Sequence, residues 1–142
     1  MSPVRTLLNT LACFVVLGPV TFLWHTVLFQ SMYIGPTLSV KSPEGLSPPH
    51  IMGGLLLVAF GMAFFIPQML GEAGRMAKGV ALGALFVSIA GNYHNLYLMG
   101  LYPGIDPLSL YLMDTAWAAI AGAVAGGVLA GADGMLKKRF AK

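Results

Sequence analysis

TLLNTLACFVVLGPVTFLWHTVLFQ, residues 6–30, contains no Asp, Glu, Lys or Arg, and the uncharged run reaches from Arg5 to Lys41. A hydrocarbon layer of about 30 Å is crossed by roughly 20 apolar residues in a helix, so this stretch is long enough to span a bilayer. It exceeds the ~7–15 residues of a secretory h-region, and no small-x-small cleavage site closes it, so it reads as a retained helix. Two further runs, Glu44 to Glu72 and Lys78 to Asp106, are equally free of charge, and residues 108–131 hold only Asp114. The pattern predicts an all-α, four-helix integral membrane bundle forming one domain, with helices at approximately 6–30, 51–70, 78–101 and 108–131.

Composition points the same way. Charged residues are 9% of the chain and apolar ones 57%, against about 25% charged in soluble domains. The mean hydropathy is +0.79. Too few charges remain to clothe a water-soluble surface. The formal net charge of +3 does not indicate nucleic-acid binding, because the basic residues form no surface stripe. They follow membrane topology instead. Arg5, Arg75, Lys78, Lys137, Lys138, Arg139 and Lys142 fall on one side and Lys41 on the other. The positive-inside rule then places both termini of this multi-pass chain in the cytoplasm. The outer connections are 34–50, rich in proline and serine, and the tight segment 102–107. Cys13 is the single cysteine, so no intrachain disulfide is available. Pro19 removes a backbone hydrogen bond in mid-membrane and predicts a kink.

With this orientation the polar residues of the spans gather in the outer half. His25 and Trp24 lie late in the first helix, Asn92, His94 and Asn95 late in the third, and Asp114 and Trp117 early in the fourth. The inner halves read as almost wholly apolar. Asn92 and Asn95 share a stripe with Ser88, while His94 lies about 100° away. A carboxylate inside the bilayer costs about 2.5–3.5 kcal/mol on insertion scales and needs a partner. Asp114 is therefore expected to join Asn92 and Asn95 in one buried network closed by Trp24 or Trp117.

The fourth helix carries two ladders of small residues, Ala118/Gly122/Gly126/Ala130 and Ala119/Ala123/Gly127/Gly131. Such ladders let membrane helices approach closely, and Leu129, outside both, reads as tolerant. The first and third helices also share an aromatic–His pair (Trp24-His25, Tyr93-His94) with a tyrosine eight residues on, Tyr33 and Tyr102. This hints at a duplicated helical hairpin.

The segments Asn92-Tyr-His-Asn95-Leu96 and Met113-Asp114-Thr-Ala-Trp117, with Trp24 late in the first helix, resemble a family of small bacterial four-helix membrane proteins of unknown function. That family carries acidic residues where Asn92 and Thr21 stand here. The run Trp24-His-Thr-Val-Leu-Phe29 is similar to a second uncharacterised family with an aromatic-rich first helix. Both resemblances imply a four-helix fold in a bacterial inner membrane and no activity.

The favoured functional expectation is a structural or accessory membrane subunit, surrounded by lipid and assembled as a homo-oligomer or within a larger complex. The alternative is an outer-half pocket for a lipid, quinone or pigment, lined by the tyrosines, tryptophans and methionines. His25 and His94, with Asp114, are the weak candidates for a haem b or transition-metal site; no cofactor is predicted. Catalysis is not expected, because no nucleophile–base pair or phosphate-binding loop can be assembled.

Overall fold

The computed structural model describes residues 2–29, 48–101 and 107–140. Four helices form: α1 (Pro3–Phe22), α2 (Pro48–Met69), α3 (Arg75–Leu101) and α4 (Pro107–Phe140). All four are long and apolar enough to cross a membrane. Tyr33, Tyr102 and most of the two outer connections lie outside the described residues, as does the side chain of His94.

Local chemistry sets the helix ends. Ser2 caps α1, its Oγ accepting the Arg5 N–H at 3.3 Å, and Pro3 follows at the first helical position, where its missing N–H has no partner to lose. Pro48 and Pro49 open α2 in the same way. Gly74 precedes α3 at φ +65, a left-handed conformation that favours glycine, and its carbonyl accepts the Lys78 N–H at 2.9 Å. Lys137, Lys138 and Arg139 occupy the last turn of α4, where cations complement the helix dipole.

Three of the helices keep close to the expected limits, but α4 does not stop near 131. It continues to Phe140, because Asp133 is neutralised inside the bundle and so does not break the span. In α1 the helix passes through Pro19. Its irregularity comes later, as a π-helical turn over Leu23–Leu28 in which the Phe29 N–H bonds the Trp24 carbonyl at 3.0 Å.

Successive helices run antiparallel. Arg5 of α1 and Arg75 of α3 reach Asp133 of α4, and Glu72 of the α2–α3 turn reaches Lys137. These contacts gather one end of the bundle, called the basic end below. The central element is α4, with 44% of its apolar window buried against 11, 22 and 17% for α1, α2 and α3. It packs on both α1 and α3, while α2 packs chiefly on α1. Phe86 of α3 fills the seam to α2 beside Gly61 and Phe65.

The core is shallow, with a few large side chains set among small ones: Cys13 and Leu17 on α1, Ala59, Met62 and Ile66 on α2, and Ala118, Ala121, Ala125 and Leu129 on α4. Leu129 is fully buried, which corrects its reading as a tolerant position. It belongs to the stripe Ala121/Ala125/Leu129/Asp133, spaced every fourth residue along α4. Large apolar side chains instead cover the outside, with Val15, Leu57, Phe65, Leu85 and Ile89 each more than half exposed. Apolar cover of this extent suits lipid rather than water. This is a membrane-spanning four-helix bundle.

The tightest seam joins α3 to α4. A Cβ placed on Gly79 would lie 2.5 Å from Ala130 Cβ and 2.6 Å from the Gly126 carbonyl oxygen, and one on Gly91 would lie 3.4 Å from Ala118 Cβ. A Cβ on Gly83 would fall on the Gly122 carbonyl and one on Gly126 on the Gly79 carbonyl. The ladder Ala118/Gly122/Gly126/Ala130 thus faces a second ladder, Gly79/Gly83/Val87/Gly91, that went unrecognised in the sequence. Of the other α4 ladder, Gly127 faces Val80 and Gly131 faces Met76.

Candidate functional site

Among the described residues, two polar clusters lie within the bundle. At the end opposite the basic one, the π-helical turn carries Trp24 and His25. His25 Nδ1 lies 3.0 Å from the Thr21 carbonyl oxygen, which can only accept, so Nδ1 is the protonated nitrogen. Its Nε2 faces Asp114 Oδ1 at 3.7 Å. The Trp117 ring meets the His25 ring edge-on at 5.0 Å, and Trp24 packs on Phe29 at 4.4 Å.

Among the described contacts, the residues expected in one network fall into two groups. Asn92 does not meet Asp114; its Oδ1 accepts from Thr115 Oγ1 at 2.8 Å, and Thr115 also lies 2.7 Å from the Tyr111 carbonyl. Asp114 and Thr115 are consecutive, so they point about 100° apart: one toward α1, the other toward α3. Asn95 is half-buried, and no bond joining it to Asp114 occurs among the described contacts. Two atoms in this layer, Trp117 Nε1 and Thr21 Oγ1, are buried without a hydrogen-bond partner among the described residues.

Asp114→Leu is expected to destabilise the protein by about 1–3 kcal/mol, the usual cost of stranding a partly buried polar partner. Asp114→Asn, which can still hydrogen-bond, should cost less. Thermal unfolding in detergent, with His25→Ala as the second arm of a double-mutant cycle, measures the pair. A coupling near zero would mean that the 3.7 Å approach carries no interaction.

The second cluster lies near the basic end and corrects the expectation of an apolar inner half. Asn9, Thr10 and Asp133 are all buried, Asp133 completely. Arg5 grips the carboxylate with two donors, Nε to Oδ1 and Nη2 to Oδ2, both at 2.7 Å. Asn9 Nδ2 adds a bond to Oδ1 at 2.8 Å, and Arg75 Nη2 donates to Oδ2. Arg75 Nε also donates to the Ala130 carbonyl at 3.1 Å. Each carboxylate oxygen therefore accepts two donors, which fills its lone pairs. Residues from α1, α3 and α4 converge on one acid.

Two signals for this cluster stand in the sequence. Arg5, Asn9, Cys13 and Leu17 follow one face of α1 at intervals of four, and Asp133 continues the stripe through Ala121, Ala125 and Leu129. Nearer the surface, Lys137 Nζ holds Glu72 Oε1 at 2.7 Å. That hydrogen bond, followed by the surrounding positive charges, keeps the Glu72 carboxyl below its ordinary value.

Among the described residues, no three His, Cys, Asp or Glu side chains gather in a group able to hold a metal ion. His25 and Asp114 supply two such groups, and the side chain of His94 is not described. Compared with family models, curated proteins and solved structures, the chain shows no match.

Proposed function

We propose that the protein is a structural or accessory subunit of a membrane assembly. The observation that supports this most is the saturated Asp133 carboxylate. An acid whose four acceptor sites are filled by Arg5, Asn9 and Arg75 has no site left for a substrate proton or a cation. Its chemistry is used to fix three helices relative to one another. The α3–α4 ladders are likewise occupied within the chain, so assembly with a second copy or a partner subunit uses other faces. The open glycines Gly18, Gly53 and Gly54, with nothing within 4 Å of an added Cβ, mark surfaces where another helix can approach closely.

In this reading both termini are cytoplasmic in a bacterial inner membrane, and the two hairpins descend from a duplicated unit. Cysteine introduced at Ser42 should react with an impermeant maleimide in intact cells, whereas cysteine at Lys138 should not. A Cys13→Ala background removes the buried native thiol. Labelling at position 138 alone would reverse the orientation.

The subunit reading is tested by crosslinking in native membranes, followed by size analysis and an absorption spectrum in mild detergent. A discrete assembly larger than one chain, without visible absorbance, is expected. A strictly monomeric protein would overturn it. A second reading has a specific observation behind it: Trp117 Nε1 and Thr21 Oγ1 are polar, buried and without hydrogen-bond partners among the described residues beside His25. A small apolar ligand with an acceptor oxygen, such as a quinone, would satisfy that indole. A quinone or pigment band that disappears in Trp117→Phe would favour this alternative.

A further inference from the structure

We propose that the cleft between the start of α3 and the end of α4 binds the headgroup of an anionic phospholipid. The cleft is a cavity of about 420 Å³ at the basic end, with Arg75, Lys137, Lys138 and the single acid Glu72 around it, Gly131 and Gly134 along α4, and Met135 at its wall. Its room comes from the missing side chains. A Cβ on Gly134 would lie 3.4 Å from Arg75 Nε, and one on Gly131 would lie 3.9 Å from Met76 Sδ. Larger residues at these two positions would close the space.

Charge selects the ligand. The described basic end holds Arg5, Arg75, Lys78, Lys137, Lys138 and Arg139 against only Glu72 and Asp133. Asp133 lies fully buried beneath the cleft, engaged by Arg5, Asn9 and Arg75, so it offsets arginine charge without repelling an anion at the mouth. Arg75 uses Nε and Nη2 in its described bonds, and a guanidinium has five N–H donors. Lys137 is 53% exposed and its partner Glu72 79% exposed. That surface pair is weak enough for a phosphate to compete for the ammonium. Basic pockets between membrane helices are a recurrent setting for anionic headgroups.

Position selects a lipid over a soluble phosphate. From the cleft an exposed apolar strip runs toward the bilayer interior: Met76 and Val80 on α3, Val124 and Val128 on α4. Met76 and Val80 lean over Gly131 and Gly127, so the strip is continuous with the glycine floor. Acyl chains lying on it would leave the phosphate level with Lys137 and Lys138. Charge and grease meet at one place.

Native mass spectrometry of the delipidated full chain, titrated separately with phosphatidylglycerol and phosphatidylcholine, tests this. Preferential phosphatidylglycerol adducts are expected. Lys137→Gln/Lys138→Gln should weaken them by roughly tenfold or more, given the contribution of each basic side chain at a membrane surface. Both residues are exposed, and an unchanged melting temperature would verify that the variant is folded. Glu72→Gln should strengthen binding by freeing Lys137. Equal binding of the two lipids, or indifference to the double substitution, overturns the proposal. Full displacement of the lipid by inorganic phosphate would assign the cleft to a soluble anion and overturn it equally.

Discussion

Asp133→Leu is expected to destabilise the bundle by about 3–5 kcal/mol, the usual cost of leaving buried charges without their partner. Arg5 and Arg75, with side chains only 18% and 13% exposed, would face each other across an apolar site. Asn9 would lose its acceptor as well. Asp133→Asn should fall between, since the amide keeps one acceptor oxygen but turns its NH₂ toward donors. The informative control is Arg5→Met/Arg75→Met/Asp133→Leu, because replacing a whole buried ionic cluster by apolar residues is often neutral or favourable. Its thermal midpoint in detergent should recover much of what Asp133→Leu loses. Should Asp133→Leu melt with the unmodified protein, the cluster contributes nothing to stability and the structural reading of it fails.

Gly122→Leu and Gly126→Leu are expected to abolish folding outright. At Gly126 the first added carbon would strike the Gly79 carbonyl and stand 2.8 Å from Gly83 Cα. At Gly122 it would strike the Gly83 carbonyl and stand 2.9 Å from Val87 Cβ. What it meets is chiefly backbone, which cannot rotate aside as a side chain does. The cost therefore exceeds the ~1–3 kcal/mol of ordinary overpacking, and α3 must leave α4. Size-exclusion profiles and protease resistance should show aggregated or degraded protein. Gly18→Ala and Gly53→Ala, which meet nothing within 4 Å inside the chain, should leave the protease resistance of the bundle unchanged, whatever they do to its assembly. A monodisperse, protease-resistant Gly126→Leu protein would refute the close α3–α4 approach.

The spans were legible because hydropathy is a local property, and each uncharged run carries its own evidence. The ladder on α4 was legible for the same reason. Its counterpart on α3 was harder to see because Val87 interrupts Gly79, Gly83 and Gly91, and only a facing ladder makes that residue part of a series. Pairings between helices depend on rotation about each axis, which a sequence leaves open. One residue of difference sends Asp114 toward His25 and Thr115 toward Asn92. The Asp133 cluster was missed because its arginines come from other helices, and Asp133 itself reads as the polar end of a span. Its place on the buried stripe of α4 was the available clue.

Arg5 and Asp133 are 128 positions apart, and that separation sets an order on biogenesis. At about 5–20 residues per second, a ribosome needs roughly 6–25 s to travel from one to the other. Once α1 has left the ribosome and entered the membrane, its arginine has no acid to receive it until Asp133 follows. The α3–α4 hairpin, held by glycines that follow closely in the chain, can close as soon as α4 enters. The ionic knot can be tied only afterwards. A nascent chain arrested before Asp133 carries both arginines and no buried counter-charge, so it differs from the finished protein in a property that a membrane protease or insertase can sense. The knot can close only after Asp133 has been made and has left the ribosome, so a closed knot reports a chain translated past that residue.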